Sequence, residues 1–339
     1  MTFPYYTGNP HQRHADGPAE LPGSRQARQI DPAHYKADPG LVDAVNVALL
    51  LNQPLLLTGE PGTGKTQLAY NIAWELGFEP PLMFETKSTS MARDLFYTYD
   101  TLGRFHAAQT GEGSQRSLDY ITYNALGVAI LRSNEEADVR AYLPPDFTHG
   151  GRRRSVVLID EVDKAPRDFP NDLLNEVEGM YFRIPELGNV RIAAGEELRP
   201  VLIITSNSEK HLPDAFLRRC IYYNIPFPDV TQADGRQRLT EIVLARSTQF
   251  ADDHSPLLAE ALDFFAKLRE PNSGLRKKPA TAELLNWLGA LHGAGAPATE
   301  PLRPHADLAA ASLGALVKSA SDQEVARTLL AEWLQHPPA

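Results

Sequence analysis

Residues 55–66 read Leu55-Leu56-Leu57-Thr58-Gly59-Glu60-Pro61-Gly62-Thr63-Gly64-Lys65-Thr66. Three consecutive leucines ending in a glycine-rich loop are what a strand buried in a parallel sheet presents. The loop has the spacing Gly59-x-x-x-x-Gly64-Lys65-Thr66, and Gln67 to Gly77 continues as a helix. In that strand–loop–helix setting the glycines let backbone N–H groups curl around a phosphate at a helix N-terminus, where anions are already favoured. Lys65 then reaches the β- and γ-phosphates, and the Thr66 hydroxyl is a ligand for Mg²⁺. The plain alternative is a Gly-rich turn that binds nothing; the strand before it and the helix after it argue against that.

Two further buried strands end in polar groups. Val156-Val157-Leu158-Ile159 runs directly into Asp160-Glu161. In open α/β sheets ligands gather at the carboxyl ends of parallel strands. Asp160 is therefore expected in the metal shell, and Glu161 is expected to polarise an attacking water. A second carboxylate beside the first points to hydrolysis with an internal base, rather than a switch that needs one supplied from outside. Val201 to Ile204 leads into Thr205-Ser206-Asn207. The amide of Asn207 can hydrogen-bond both a γ-phosphate and the water, although Asn at a strand end is also a common turn former. Ala215 to Cys220 closes a short helix, and its Arg218-Arg219 pair would suit the helix dipole in any case. The sharper reading is an arginine finger aimed at a neighbouring subunit's nucleotide, with Arg219 preferred to Arg218. Asp163 and Lys164 fit an interface or a salt bridge, and neither is given a role.

The rest of the chain frames these motifs. Residues 1–36 are polar and rich in Pro, Gly and His, and are expected to form a flexible N-terminal arm. Asp38-Pro39 predicts an N-cap and first helical position for a helix over Leu41–Leu51. The expected α/β domain spans 37–228. Within it, Lys87 to about Tyr120 reads as loops or a hairpin outside the core, and Ile121–Leu131 as a helix. Tyr181–Leu187 and Val190–Ala194 read as two arms joined at Gly188-Asn189. Beyond Pro226-Phe227-Pro228 the signals are helical: Gln237–Ala245, Pro256–Lys267, Thr281–Leu291, Leu308–Val317 and Gln323–Leu334. These divide into a lid at 229–295 and a C-terminal helical extension at 296–339, with a linker around Ala294–Pro304. The fold class is α/β, a parallel sheet sandwiched by helices and followed by a smaller all-helical domain.

Charge and composition exclude other classes. A formal net charge of −10 argues against nucleic acid as the main ligand, despite Arg152-Arg153-Arg154 and Arg276-Lys277-Lys278, which read as solvated charge runs. The single cysteine, Cys220, rules out an internal disulfide and a Cys-rich zinc site. No apolar run approaches the ~20 residues of a membrane helix, and the start lacks a signal peptide's basic and apolar regions. A cytoplasmic protein is expected.

Gly59–Thr66, Val156–Glu161, Thr205–Asn207 and Leu212–Cys220, in that order and ahead of a helical lid, resemble an AAA+ ATPase over residues 37–295. Among its branches the chain is most similar to the MoxR family. From Lys65 to Asp160 the chain runs 95 positions, and the excess, about 87–150, resembles that branch's insertion. Leu173–Gly179, the Tyr181–Ala194 arms and Leu212–Arg219 are similar to its other segments, and the finger position matches Arg219. Asp163 and Ser206 depart from the family, which often has Asn and Gln there. The lid cation, or sensor 2, has no clean match; Lys278 is the candidate, with Arg276 behind it. The resemblance implies ATP and Mg²⁺ as cofactors, the loop Gly59, Glu60, Pro61, Gly62, Thr63, Gly64, Lys65 and Thr66 as the nucleotide cradle, and homo-oligomeric, usually hexameric, rings. It also implies a chaperone acting on a protein client, such as one carrying a von Willebrand factor A domain. A nucleic-acid motor of the same fold and a nucleotide-gated assembly module with slow hydrolysis are the alternatives.

Overall fold

Asp38 accepts the main-chain N–H of Leu41 at 2.9 Å, and Pro39 occupies the first helical position, so helix α1 (Pro39–Leu51) starts where its cap requires. The computed structural model describes residues 6, 31–111, 113–114, 116–209, 212–247, 250 and 254–335. The arm expected at 1–36 thus lies outside the described residues, apart from Tyr6 and 31–36.

Residues 37–60 and 64–225 form an α/β unit. After α1 it contains β1 (Leu55–Thr58), α2 (Lys65–Glu75), β2 (Leu82–Glu85), β3 (Tyr97–Tyr99), α3 (Thr101–Thr110), β4 (Ile121–Tyr123) and α4 (Ala125–Arg132). It continues with α5 (Glu136–Val139), β5 (Val156–Asp160), α6 (Phe169–Asp172), α7 (Leu174–Gly179), β6 (Tyr181–Ile184), β7 (Val190–Ala193), β8 (Val201–Thr205), α8 (Asp214–Leu217) and β9 (Ile221–Asn224). Five strands make one parallel sheet in the order β2-β5-β8-β1-β9. β1 is an interior, fully buried strand, pairing Leu55 with Ile203 of β8 on one side and Ile221 of β9 on the other. The leucine run is therefore apolar on both faces because helices cover both. The order places the loop after β1 near the ends of β8 and β5, since β8 lies between β1 and β5.

The sequence expectation for 87–131 needs correction. Leu95, Phe96 and Tyr97 are buried in the α/β core, and β3 pairs antiparallel with β4 through Tyr97 and Tyr123. Ile121–Leu131 is a strand followed by a helix, not one helix. α3 lies where loops were expected. Its apolar Leu102 and Phe105 face solvent and only Ala107 is buried, so no apolar stripe announces it. The available signals were its ends: the Asp100 carboxylate accepts from Gly103 N, and Gly111 closes the helix at φ 72°. The helical stretch from Phe169 to Gly179 breaks at Leu173 into α6 and α7.

The second unit gathers the chain from Pro226 onward. It holds α9 (Ala233–Arg246), α10 (Pro256–Arg269), α11 (Thr281–Gly293), α12 (Ala306–Ala311), α13 (Leu313–Leu316) and α14 (Ala320–Gln335). These helices share one core in which Phe264 packs against both Trp287 and Trp333. The stretch expected as a linker, Ala294–Pro304, is built into that core: Ala296 and Leu302 are fully buried. The helix expected at Leu308–Val317 breaks at Ser312. Its hydroxyl bonds back to Leu308 O and accepts from the Trp287 indole, an interaction no local pattern encodes.

Candidate functional site

The loop after β1 runs through Gly59, Gly62 and Gly64 at φ 141°, 82° and 94°. Side chains resist these values, which is why glycine stands at each. Lys65 opens α2 and is buried. Its ammonium donates to Gly59 O at 2.8 Å, Glu60 O at 3.1 Å and Asn207 Oδ1 at 3.3 Å. Burial pulls its pKa below the usual lysine range, while the negative charges of Asp163, Asp160 and Glu161 push the other way. A buried cation held by loop carbonyls is suited to exchange them for phosphate oxygens.

Thr66 and Asp160 meet although 94 positions apart: Thr66 Oγ1 lies 3.0 and 3.2 Å from the two carboxylate oxygens. A hydroxyl and a carboxylate side by side are the oxygen donors that Mg²⁺ prefers. Among the described residues no group of three or more His, Cys, Asp and Glu side chains is arranged to hold a metal by itself, so phosphate oxygens and water would have to complete the shell.

Thr205, at the end of β8, is fully buried and ties the cluster together. Its hydroxyl donates to Asp160 Oδ1 at 2.6 Å and accepts from the main-chain N–H of Glu161 at 2.8 Å. Glu161 sits in the left-handed region at φ 56°, ψ 51°. A non-glycine residue held there is strained, and such strain concentrates at functional sites. The Thr205 bond secures this conformation. The Glu161 carboxylate pairs with Lys164. Asn207 donates from its main-chain N and from Nδ2 to the two oxygens of Asp163, at 3.1 and 3.3 Å. Sequence reasoning assigned no role to Thr205, Asp163 or Lys164. Their adjacency to Asp160, Glu161 and Asn207 was legible, but their pairings depend on how β5 and β8 align.

The remaining candidates lie elsewhere. Arg219 donates from Nε to Glu178 Oε2 at 2.9 Å and from its guanidinium to Ala215 O at 3.0 Å, while Arg218 is exposed. Lys278 and Arg276 belong to the helical unit, ahead of α11, where Asp322 accepts the N–H groups of Arg276 and Lys277. Arg152-Arg153-Arg154 is not a freely solvated run. Arg152 meets Glu135 and Glu197, Arg153 meets Glu79 and Gly151 O, and Arg154 donates to Glu197 O.

This geometry defines a class: a P-loop protein in which an interior parallel strand carries the loop and nearby strand ends carry the carboxylates and the polar amide. The family model described as "ATPase family associated with various cellular activities (AAA)" matches residues 55–228. The chain belongs to that family, whose members bind nucleotide and commonly assemble as rings. A mutant RuvB structure from Thermotoga maritima is similar at 18% identity, covering 84% of this chain and 69% of that one, with a TM-score of 0.44. A second Thermotoga maritima RuvB structure has the same identity and coverage and a TM-score of 0.42. No curated protein matches the chain. Among the described residues no helix is long and apolar enough to cross a membrane.

Proposed function

We propose that this protein binds ATP with Mg²⁺ and hydrolyses it as a MoxR-type AAA+ ATPase, working as a cytoplasmic ring that remodels a protein client. The observation that carries the hydrolytic reading is one continuous hydrogen-bonded path: Thr66 to Asp160, Asp160 to Thr205, and Thr205 to the backbone of Glu161. It couples the start of the phosphate-loop helix to the residue adjoining the strand-end carboxylate. The N–H groups of Gly59–Thr66 cradle the phosphates, and Lys65 leaves the carbonyls of Gly59 and Glu60 for β- and γ-phosphate oxygens. Thr66 and Asp160 hold the metal. Bound Mg²⁺ would neutralise phosphate charge and so favour attack.

Glu161 takes the proton from the attacking water, for which its carboxylate must part from Lys164. Asn207 orients that water. Arg219, released from Glu178, supplies positive charge to the nucleotide of the next subunit, and Lys278 is the lid's cation toward the phosphates. MoxR similarity in Leu173–Gly179 and Leu212–Arg219 supports a protein client, including one with a von Willebrand factor A domain. The net charge of −10 and the committed state of Arg152–Arg154 favour a protein over nucleic acid.

The test is Glu161→Gln, which keeps shape and removes basicity. It should bind a fluorescent ATP analogue with near wild-type affinity while turnover falls ~10²-fold or more. Retained turnover would move the base elsewhere; lost binding would make Glu161 structural. The same arrested variant should retain the client, whose identity then tests the remodelling role.

A further inference from the structure

A carboxamide has one accepting and one donating end, and its neighbours decide which way it points. Asn207 lies between two groups that leave no choice. On one side the Lys65 ammonium, which can only donate, is 3.3 Å from Oδ1. On the other the Asp163 carboxylate, which can only accept while ionised, is 3.3 Å from Nδ2. The second Asp163 oxygen takes the main-chain N–H of the same residue at 3.1 Å, so one side chain holds the main-chain N–H and one amide N–H of Asn207. Reversing the amide would set NH₂ against NH₃⁺ and oxygen against carboxylate.

Asp163 is itself well placed for this hold. Glu161 turns through the left-handed region immediately after β5, and the single helical turn Val162–Lys164 follows. That turn carries Asp163 to Asn207, two residues past the end of β8.

We infer that Asp163 is a positioning residue: it holds the main-chain N–H and one amide N–H of Asn207 and presents the amide's carbonyl to the site. That carbonyl then accepts, from Lys65 before nucleotide arrives and from the attacking water afterwards. The inference rests on the ATPase reading above and narrows it, because a strand-end amide free to rotate could present either end to the water. A neutral Asn at position 163 offers one acceptor and one donor end, so it cannot accept on two oxygens as the Asp163 carboxylate does. Asp163 and the polarity of Asn207 therefore belong together in this chain.

The test has one readout without nucleotide and one with it. In protein labelled with ¹⁵N-asparagine, Asn207→Ala identifies the Asn207 side-chain NH₂ signals by their loss. Asp163→Ala and the near-isosteric Asp163→Asn should both move those signals to the position of a free amide. With ATP, both Asp163 variants should lose about tenfold in kcat, the size of one net hydrogen bond. Asn207→Ala should lose at least as much in kcat. Unmoved Asn207 signals in Asp163→Asn, or wild-type kcat in both Asp163 variants, would overturn the inference. Wild-type protein that neither binds nor hydrolyses ATP would defeat the ATPase reading instead, and the nucleotide-free spectra would still decide what Asp163 holds.

Discussion

Thr205→Val replaces a hydroxyl by a methyl of nearly the same size at a fully buried position. Two bonds go with it: the donation to Asp160 at 2.6 Å and the acceptance from Glu161 N at 2.8 Å. A hydrogen bond to a charged carboxylate contributes more than one between neutral groups, and the Glu161 N–H loses its acceptor. Together the loss is about 2–4 kcal/mol. Glu161 would be left in a left-handed conformation whose intrinsic cost is about 1–2 kcal/mol, with nothing at its N–H to hold it there. Relaxation of that residue would carry its carboxylate off line. Amide hydrogen exchange reports the structural part: peptides covering β5 and β8 should exchange roughly 30-fold faster or more, at ~1.4 kcal/mol per tenfold. Steady-state ATP turnover reports the chemical part and should fall at least about tenfold, while analogue binding holds, because the Lys65 ammonium is held by Gly59, Glu60 and Asn207. Thr205→Ser keeps the hydroxyl and should stay near wild type in both assays. If the Val variant exchanges and turns over like the Ser variant, the hydroxyl is not the link between Asp160 and Glu161, and the argument from the path fails.

Three other outcomes follow from the same geometry. Arg219→Ala should bind ATP and hydrolyse it poorly, with losses of up to ~10³-fold; mixing it with Lys65→Ala should recover part of the activity once differently tagged subunits co-elute, and no recovery in mixed rings would exclude action in trans. Replacing Arg152, Arg153 and Arg154 together by Ala should lower urea stability by about 1–3 kcal/mol, because partly exposed ion pairs are each weak, while wild type should not be retained on DNA at ~0.15 M salt; strong retention that disappears in the triple variant would restore the nucleic-acid reading. Cys220 is partly exposed as a residue, yet burial pushes its thiol up to about 12. Because a raised pKa leaves almost no thiolate at pH 8, folded protein should resist a thiol reagent that labels it promptly in urea; equal labelling rates in the two states would contradict the burial.

Local features carried the parts of the fold that were legible. Asp38-Pro39 announced α1 because a cap and a first-turn proline act within three residues. Leu55–Leu57, Val156–Ile159 and Val201–Ile204 announced strands because burial on both faces demands continuous apolar side chains. The glycines and Lys65 marked the loop because φ values near 90° and a phosphate's charge restrict which residues serve. Where these conditions lapse, the pattern is mute. α3 buries only Ala107, so its sequence holds no stripe, and β4 is a strand only because Tyr123 finds Tyr97 across the sheet.

The sequence by itself determined which residues could bind phosphate, hold a metal or accept a proton, since those capacities belong to side chains and to the loop's own backbone. Tertiary structure decided how they are connected. Thr66 reaches Asp160, Thr205 reaches Glu161 and Asp163 reaches Asn207 across 94, 44 and 44 positions respectively. Those distances close only when β1, β8 and β5 lie side by side in register, an arrangement set by packing over the whole sheet. The same holds for Arg152–Arg154, whose charges read as solvated until the fold sets Glu79, Glu135 and Glu197 beside them. A hydrogen bond is specified by two positions in space, and a linear pattern supplies only one of them at a time.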